Sequence, residues 1–226
     1  MLQVLLSEKF EVRLNTPARE IRWQRGAVQV DGIRARKAIV TLPLGVLQAG
    51  SVSFCPKIKQ KEKPLRQLAS GPVIRVALRF REPFWQERVP GVAFFHSPKA
   101  PFPTFWTPLP MHAPLLTAWA GGPKAAALSG SSKHQLVQNA MASVRSALGR
   151  IPPLQAALVQ DWQADRYSRG GYSYVLVGGQ GAREALCRPL EKTLFFAGEA
   201  TDADEAGTVA GALRSGVRAA REVLKA

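Results

Sequence analysis

Hydrophobic and polar residues alternate over short stretches in the first part of the chain, which predicts a series of short strands. Turn residues such as Gln24-Arg25-Gly26 and Asp31-Gly32 separate four β-rich segments, which are Phe10 to Leu14, Glu20 to Trp23, Ala27 to Val30 and Ala35 to Thr41. This pattern predicts a small antiparallel meander that ends in the strand Ala38 to Leu42. Pro43 stops that strand, and Leu44 to Leu47 can form a helical turn.

Longer strands and helices are predicted further along the chain. In one strand, Ile74, Val76, Leu78 and Phe80 face one side, while Val73, Arg75, Ala77 and Arg79 face the other. Further strands are predicted at Leu115 to Ala120, Val159 to Trp162 and Tyr172 to Val177, and helices at Pro56 to Leu68 and Lys133 to Leu148. The proline- and aromatic-rich stretch from Pro90 to Pro114 predicts irregular but ordered structure.

The last 33 residues, from Leu194 onward, form the most informative segment. An apolar run, Leu194 to Ala197, breaks at Gly198, passes through an acidic loop and opens a helix at Thr208. A strand, a tight loop and a helix N-terminus can present backbone N–H groups to an anion or a polarised carbonyl. The apolar residues of this helix predict an inner face made of Val209, Leu213, Gly216, Ala220 and Val223, opposite a basic face of Arg214, Arg218, Arg221 and Lys225.

Composition limits the class of protein. A chain of 226 residues with 46% apolar residues fits one large domain or two small ones. Cys55 and Cys187 stand far apart, so we expect neither a disulfide framework nor a structural zinc site. The sequence has no apolar run long enough to span a bilayer and no recognisable signal sequence, which favours a cytoplasmic, reduced protein.

The formal net charge of +15 allows three interpretations. The densest basic cluster is Lys57, Lys59, Lys61, Lys63 and Arg66, for which a solvated helix face is the favoured interpretation. A polyanion-binding patch is less favoured, because no groove-reading motif or interleaved stacking aromatics accompany the cluster. A basic surface that faces a partner segment or an anionic cofactor is the third interpretation.

Several other kinds of site have little support. Gly179-Gln-Gly181 imitates a dinucleotide fingerprint, but Glu184 occupies the third glycine position, so a plain loop is favoured. No G-x-S-x-G elbow is present, and His96, His112 and His134 have no spacing that predicts a triad or a metal site. The acidic residues Glu199, Asp202, Asp204 and Glu205 fit equally well a charged helix N-terminus and a loop around a polar cofactor.

Four segments together resemble the flavin-containing amine oxidases, the family of the monoamine and polyamine oxidases. The C-terminal motif is Phe196-Ala-Gly-Glu199, Gly207-Thr-Val, Gly211-Ala-Leu, Ser215-Gly216 and Ala219-Ala220. The other segments are Ala38 to Leu47 with Phe54-Cys-Pro56, Gly71 to Phe80 with Pro83-Phe-Trp85, and Trp162, Ser168 and Gly171-Tyr-Ser-Tyr174. They follow the order of the family across nearly the whole chain.

The resemblance implies an FAD-dependent oxidoreductase that oxidises a C–N bond of a small-molecule amine, with hydride transfer to flavin and reoxidation by dioxygen. The implied fold is α/β, the C-terminal part of an FAD-binding amine oxidase fold, with a mixed-sheet substrate domain. Residues 1–64 and 165–226 would belong to the FAD domain, and residues 65–164 to the substrate domain. Membrane attachment and nucleic-acid binding are not expected.

The resemblance also implies roles for particular residues. Ala18 would approach the adenine end of FAD, Gly198 and Glu199 would lie beside the pyrophosphate, and the Val209 N–H would bond a flavin carbonyl. Trp162 would flank the isoalloxazine ring, and Tyr172 would guide a neutral amine to it, although core packing is the alternative for both. The cofactor-binding residues implied are therefore Ala18, Pro43, Trp162, Gly198, Glu199, Gly207, Thr208, Val209 and Ala212.

This sequence departs from the family pattern at three positions. Arg75 stands where the family usually has a lysine that bonds flavin N5 through a water, and arginine is not an equivalent replacement. Arg75 and Tyr172 are the catalytic candidates. Gly171 replaces the cysteine that tethers flavin in the monoamine oxidases, so the FAD is expected to be non-covalent. Thr208 replaces the second cage tyrosine of those enzymes.

A larger departure is that these residues include no N-terminal strand with a G-x-G-x-x-G turn. We therefore expect the chain to act as the C-terminal half of an amine oxidase that needs a separate N-terminal half to bind FAD. The alternative is a catalytically inactive remnant, or an interaction protein, on the same scaffold.

Overall fold

The computed structural model describes residues 11–226. In this part of the chain the strands are β1 (Glu20–Gln24), β2 (Ala27–Val30), β3 (Ile33–Ala35), β4 (Ala38–Val40), β5 (Ser53–Cys55), β6 (Leu68–Gly71), β7 (Val73–Arg79), β8 (Phe94–His96), β9 (Thr104–Trp106), β10 (Leu115–Gly121), β11 (Ala156–Asp161), β12 (Tyr172–Val175) and β13 (Leu194–Phe196). The α-helices are α1 (Leu44–Gln48), α2 (Lys59–Gln67), α3 (Pro123–Ala127), α4 (Lys133–Leu148), α5 (Ala182–Cys187) and α6 (Val209–Lys225). Two 3-10 helices cover Phe84–Glu87 and Glu199–Thr201. This mixture confirms the predicted α/β class.

The first sheet has the strand order β3-β2-β1-β5. Strands β1, β2 and β3 pair antiparallel, as the meander predicted, and β5 pairs parallel with β1. The prediction of one strand from Ala35 to Thr41 is wrong, since β3 ends at Ala35 and β4 leaves the meander to pair parallel with β13. The reason is that β4 and β13 are both apolar and pair in the core. Phe10 lies outside the described residues, and residues 11–14 form no strand.

The second sheet has the order β11-β7-β10-β9-β8. Strand β7 alternates as predicted, with Val76 and Leu78 fully buried and Arg75 exposed. One face of this sheet packs on α4, whose buried side includes Leu136 and Val144. Helix α4 has the predicted bounds because a capping box starts it, in which Ser132 and Gln135 exchange hydrogen bonds.

The inner face of α6 differs from its prediction. Val209 is 72% exposed and Leu213 is 50% exposed, whereas Gly211, Ser215 and Ala219 are buried. The small residues allow α6 to lie close to β13 and the 3-10 helix at Glu199–Thr201. Close approach of the two backbones therefore determines which face is buried, and the larger apolar side chains face outward.

The basic cluster near α2 was predicted to be a solvated helix face, and this is true of all its described members except Lys61. Lys59, Lys63 and Arg66 are exposed, but Lys61 is only 1% exposed. Its ammonium group donates to the backbone carbonyls of Ala185, Leu186 and Arg188 at the C-terminal end of α5. A cation that caps these carbonyls is stabilised by the negative end of the helix dipole.

Candidate functional site

A cavity of about 290 Å³ lies where β4 and β13 end. Five of the residues implied by the resemblance line this cavity, namely Pro43, Trp162, Tyr172, Gly198 and Glu199. They come from four separate parts of the chain, so the fold rather than local sequence brings them together. Phe196 and Leu44 add apolar wall, so the cavity combines aromatic and apolar surfaces with one carboxylate.

Pro43 lies on one side of this cavity, where β4 passes into α1. Pro43 is the N-cap of α1, and its carbonyl accepts bonds from the amides of Val46 and Leu47. A Cβ at Gly45 would lie 2.3 Å from the carbonyl oxygen of Arg169. Only glycine therefore lets α1 approach the loop around Arg169 this closely.

Backbone hydrogen bonds position Trp162 and the segment that leads to Tyr172. The Trp162 amide donates to Val73 O at 3.0 Å, and its carbonyl accepts from the Gly170 amide at 2.8 Å. Gly170 has φ +140°, and a Cβ there would lie 2.0 Å from Ser70 Oγ. This glycine turn directs Tyr172, which is partly exposed, to the rim of the cavity.

The next residue, Gly171, has no room for a side chain. A Cβ there would lie 2.5 Å from Cγ2 of Val73. A cysteine at this position could not be placed without moving β7. Both cysteines of the described chain, Cys55 and Cys187, are free thiols outside the cavity lining.

The carboxylate of Glu199 is held by three donors. Its Oε1 accepts from the Ser173 amide at 3.1 Å, and its Oε2 accepts from Ser173 Oγ at 2.7 Å and from the Gly207 amide at 2.8 Å. Arg183 extends this network by donating to Ser173 Oγ at 2.6 Å. Glu199 therefore connects the cavity to the loop before α6, and its charge is satisfied by protein groups.

The N-terminus of α6 lies next to this network. Thr208 is the N-cap, and its Oγ1 accepts from the Gly211 amide at 2.9 Å. The Ala212 amide donates to the Thr208 carbonyl, which starts the helical pattern. Within residues 11–226 no acceptor is found for the Val209 amide, as expected for the first residue of a helix. A Cβ at Gly207 would lie 3.6 Å from Cβ of Tyr172, so this terminus is adjacent to the cavity rim.

An ion pair fixes the acidic loop in front of α6. Arg214 donates through Nε to Asp202 Oδ2 at 2.7 Å and through Nη2 to both Asp202 and Asp204. The hydrogen bonds from Arg214 are the main reason that the pKa of Asp202 is lowered to about 2. Asp202 and Asp204 are thus held by a side-chain ion pair with Arg214, and neither lies in the first turn of α6.

The sequence assigned no role to three residues that contribute to this region. Ser215 Oγ accepts from the Gly198 amide at 2.9 Å and so holds α6 against the end of β13. Lys61 packs against Phe196, which lines the cavity, and its Nζ lies 4.3 Å from the centroid of that ring. Burial lowers the pKa of Lys61 to about 8. Arg183 supports Ser173. A serine among small helix residues, such as Ser215, is a weak sequence signal of a buried contact. Nothing in the sequence marks Lys61 or Arg183 as part of the site.

Six predicted site residues do not line this cavity, and Arg75 and Ala18 are the two that have no link to it through Glu199. Arg75 is exposed on β7 and does not line it. Ala18 lines a second cavity of about 510 Å³ together with Arg19, Arg166 and Arg169. Leu42 lines both cavities, so they are neighbours. Gly207, Thr208, Val209 and Ala212 are connected to the first cavity through Glu199 and the start of α6.

The two cavities fit parts of a flavin dinucleotide. Ligand sites for drug-sized molecules measure about 300–1,000 Å³, and FAD, with two ring systems joined by a pyrophosphate, is larger than most such molecules. The first cavity offers aromatic walls for one ring system, and the second offers arginines suited to phosphate oxygens. The described residues therefore fit portions of FAD and do not enclose the whole molecule.

Other site types find no support in residues 11–226. No group of three or more histidine, cysteine or acidic residues is arranged to hold a metal ion in this part of the chain. None of the helices described is both long and apolar enough to cross a bilayer.

Comparison with protein families identifies the class. Residues 2–224 match the model of the family described as flavin containing amine oxidoreductase. The chain therefore belongs to the flavin-containing amine oxidoreductases, and the resemblance of its motifs to this family is confirmed.

The chain is also similar to individual proteins, at sequence identities of about one third. Human lysine-specific histone demethylase 2 is 33% identical over 96% of this chain and 28% of its own length. Polyamine oxidase 3 of rice (Oryza sativa subsp. japonica) is 30% identical over 96% of this chain and 46% of its own length. The chain thus spans between about a quarter and a half of the length of these relatives.

Solved structures confirm the fold. A double mutant of putrescine oxidase superposes with a TM-score of 0.82 at 22% identity, covering 100% of this chain and 51% of that one. Cyclohexylamine oxidase from Brevibacterium oxydans gives 0.77 at 18% identity, covering 92% and 48%. The predicted fold, part of an amine oxidase fold, is therefore confirmed.

Proposed function

We propose that this chain forms the C-terminal part of an FAD-dependent amine oxidoreductase that oxidises a C–N bond. The observation that carries the proposal is the convergence of Pro43, Trp162, Tyr172, Gly198 and Glu199 on one cavity. When bound, FAD supplies the hydride acceptor, and dioxygen reoxidises it. We further propose that the protein is cytoplasmic, in keeping with its two free thiols.

The residues of this chain have distinct roles in the proposal. Trp162 and Tyr172 form aromatic walls that exclude water and hold the amine in its neutral form, since a charged amine is costly to place on an apolar surface. Gly198 and Glu199 contribute backbone at the 3-10 helix beside the pyrophosphate, with no side chain on Gly198 to obstruct it. Gly207, Thr208 and Ala212 set the start of α6, so that the Val209 N–H can stabilise negative charge on the flavin.

The bound flavin is proposed to be non-covalent, and its site to need a further segment. Gly171 provides no thiol and has no space for one. The first cavity is too small for a whole dinucleotide, and Val209, Leu213 and Val217 leave an apolar stripe of α6 exposed. We propose that a dinucleotide-binding N-terminal half, on the same polypeptide or on a separate chain, completes the site and covers this stripe.

The proposed domain division is residues 1–64 with 165–226 for the FAD domain and residues 65–164 for the substrate domain. Two core clusters support it, whereas a third joins Leu65 and Leu68 to Leu44, Ala182, Leu186 and Ala200 and so crosses the boundary at residue 65. The largest buried cluster draws all its members from residues 74–159, and a second joins residues 21–58 to Leu190, Leu194 and Phe196.

The experiment is reconstitution. Residues 1–226 are co-expressed with a candidate dinucleotide-binding half from a neighbouring reading frame, and flavin absorbance is followed through gel filtration. We expect flavin to be retained only by the complex and to be released by acid precipitation. Stoichiometric flavin on residues 1–226 alone would show that no second segment is needed.

The activity is measured on the same complex with a panel of amines that includes benzylamine, putrescine, phenylalanine and an N-methyllysine peptide. Anaerobic bleaching of the flavin reports amine oxidation, and peroxide after oxygen is admitted reports reoxidation. Retained flavin that no amine bleaches would contradict the proposal and favour an inactive scaffold.

A further inference from the structure

The first sheet has a cavity on the face that points away from the core. Ile21 and Val28 are buried on the core side. Because side chains alternate along a strand, the neighbouring Arg22 and Gln29 point to the opposite face, where they line a cavity of about 400 Å³. This cavity, which we call the outer cavity, is lined by residues from all four strands, which include Arg22, Gln24, Gln29, Arg34 and Cys55. None of the described residues that line it lines either of the two cavities described above, so it is a separate site.

The strand register places four of these residues in one row. Gln29 on β2 lies opposite Arg34 on β3 and Arg22 on β1, and Cys55 on β5 lies on the far side of Arg22. Because neighbouring strands are about 4.8 Å apart, the backbones at the two arginines are about 10 Å apart, with the Gln29 side chain between them. Two cationic groups separated in this way suit a ligand with an anionic group at each end.

A small side chain creates the depression in this face. Ala27 lies opposite Gln24, in the row next to that of Gln29 and Arg22. Its methyl group leaves open the space that a longer side chain would fill. The volume of the cavity lies within the range of about 300–1,000 Å³ that is usual for small-molecule sites. It is many times the ~30 Å³ that one water occupies, so an organic molecule matches its size better than a single small ion does.

The charge of the outer cavity is positive. Arg22 donates through Nε to Glu20 Oε2 at 2.7 Å, which uses one of its five N–H groups. Among residues 11–226 the other four have no acceptor, and the Arg34 guanidinium has neither an acceptor nor an ion-pair partner. No acidic residue of the described chain lines the cavity. Guanidinium groups with free N–H pairs bind planar carboxylates through two parallel hydrogen bonds.

We propose that the outer cavity binds a small organic dicarboxylate. Arg34 binds one carboxylate, the terminal nitrogens of Arg22 bind the other, and the Gln29 amide group bonds a polar group between them. A monocarboxylate leaves one guanidinium without a partner, and an aliphatic diamine is repelled by both. This site goes beyond the proposed function and does not depend on it, because it shares no lining residue with the cavity proposed for flavin.

Binding is tested on residues 1–226 by titration calorimetry with four probes, which are adipate, hexanoate, hexamethylenediamine and inorganic phosphate. We expect adipate to bind most tightly and hexamethylenediamine not to bind. Arg34→Gln should weaken adipate binding about fivefold, the effect of one exposed charge-assisted contact, and bring it close to that of hexanoate. Arg34→Lys should retain part of the affinity. The matched control is Arg79→Gln, an exposed arginine on the second sheet, which should leave adipate binding unchanged.

Cys55 reports where adipate binds, because Cys55 lines the outer cavity whereas Cys187 does not, and both are free thiols. Saturating adipate should slow the alkylation of Cys55 by iodoacetamide and leave that of Cys187 unchanged. Mass spectrometry of the digested protein measures both rates in one sample.

Three results would each overturn the inference: binding of hexanoate or phosphate as tight as that of adipate, equal loss of adipate affinity in Arg34→Gln and Arg79→Gln, or no protection of Cys55 at saturating adipate. Circular dichroism of each variant verifies folding. Any of these results would refute the dicarboxylate site alone, because the flavin proposal rests on other residues.

Discussion

The Glu199 carboxylate and the Gly207 amide are joined by a hydrogen bond of 2.8 Å. This bond connects the 3-10 helix on the cavity wall to the loop that starts α6, eight residues later. Ser173 donates twice to the same carboxylate, so β12 is fixed to both. Glu199 therefore helps to set the position of the α6 N-terminus relative to the cavity, together with the Ser215 contact to Gly198.

Replacement of Glu199 by glutamine should loosen this junction. The amide group cannot accept from all three donors, and each donor left without a partner costs about 1–3 kcal/mol. We expect the free energy of unfolding, measured by urea denaturation, to fall by at least that amount. Glu205→Gln is the control, because the exposed Glu205 side chain makes no hydrogen bond within the described residues. Equal stability of the two variants would contradict the role given to Glu199.

Lys61→Met should destabilise the packing of α2 on α5. The substitution leaves three carbonyl oxygens at the end of α5 without their donor, which predicts a loss of about 2–4 kcal/mol at pH 7. Lys63→Met changes an exposed lysine on the same helix and should have little effect. A loss of similar size in both variants would show that Lys61 has no special role.

The same residue predicts a pH dependence. Burial lowers the pKa of Lys61 to about 8, below its usual value of about 10.4. Between these values the unfolded chain binds the proton that the folded protein releases, so this group makes the protein more stable as pH rises from 8 to about 10. Urea midpoints across this range should show the rise in the parent protein and a smaller one in Lys61→Met. Parallel curves would contradict the prediction.

Two glycines of α6 should respond in opposite ways to alanine. At Gly211 a Cβ would lie 2.2 Å from the Glu205 carbonyl oxygen, so the loop must move, at a cost of about 1–3 kcal/mol. At Gly216 no atom lies within 4 Å of a new Cβ, and alanine should stabilise the helix by about 0.5–1 kcal/mol. Thermal unfolding of both variants tests this pair, and a stabilising Gly211→Ala would refute the close approach.

Acid stability should depend on Arg214. The pKa of Asp202 is lowered to about 2, so this carboxylate contributes stability above about pH 4 that is lost as pH falls toward 2. Arg214→Met should raise the pKa of Asp202, which carbon-detected NMR of the carboxyl group can measure. Arg221→Met, an exposed change on the same helix, should leave that pKa unaltered. No difference between the variants would exclude Arg214 as the cause.

The sequence pattern predicted an element correctly where its capping residues and apolar spacing match the way the element packs in the fold. Helix α4 has a capping box at Ser132, and β7 alternates from Ile74 onward because one face is core, so both have nearly the predicted bounds. The start of helix α6 was predicted correctly, but the face that the helix buries was not. Its burial is decided by how closely Gly211, Ser215 and Ala219 let two backbones approach, which a count of large apolar residues does not capture.

The site was predictable only in part, for a related reason. The motif around Phe196-Ala-Gly-Glu199 indicated a cofactor-holding strand and loop, and family resemblance added Pro43, Trp162 and Tyr172. The partners that hold these residues are distant in sequence. Lys61 meets Phe196 and Ser215 meets Gly198 only after the helices pack, so no local pattern marks either contact.

We propose that the start of α6 holds the flavin, and Val209→Pro tests this contact most directly. Val209 is the first residue of the helix, where proline is well tolerated, and Thr208 at φ −119° and ψ 158° already has the conformation that precedes proline. The change therefore removes the N–H with little disturbance of the helix. Val209→Ala keeps the N–H and serves as the control.

The measurement is the midpoint potential of the flavin in the reconstituted complex. We predict a potential about 20–60 mV lower in Val209→Pro than in Val209→Ala, because a lost bond of about 1–3 kcal/mol no longer stabilises negative charge on the reduced ring. Equal potentials in two variants that bind flavin equally well would contradict the account.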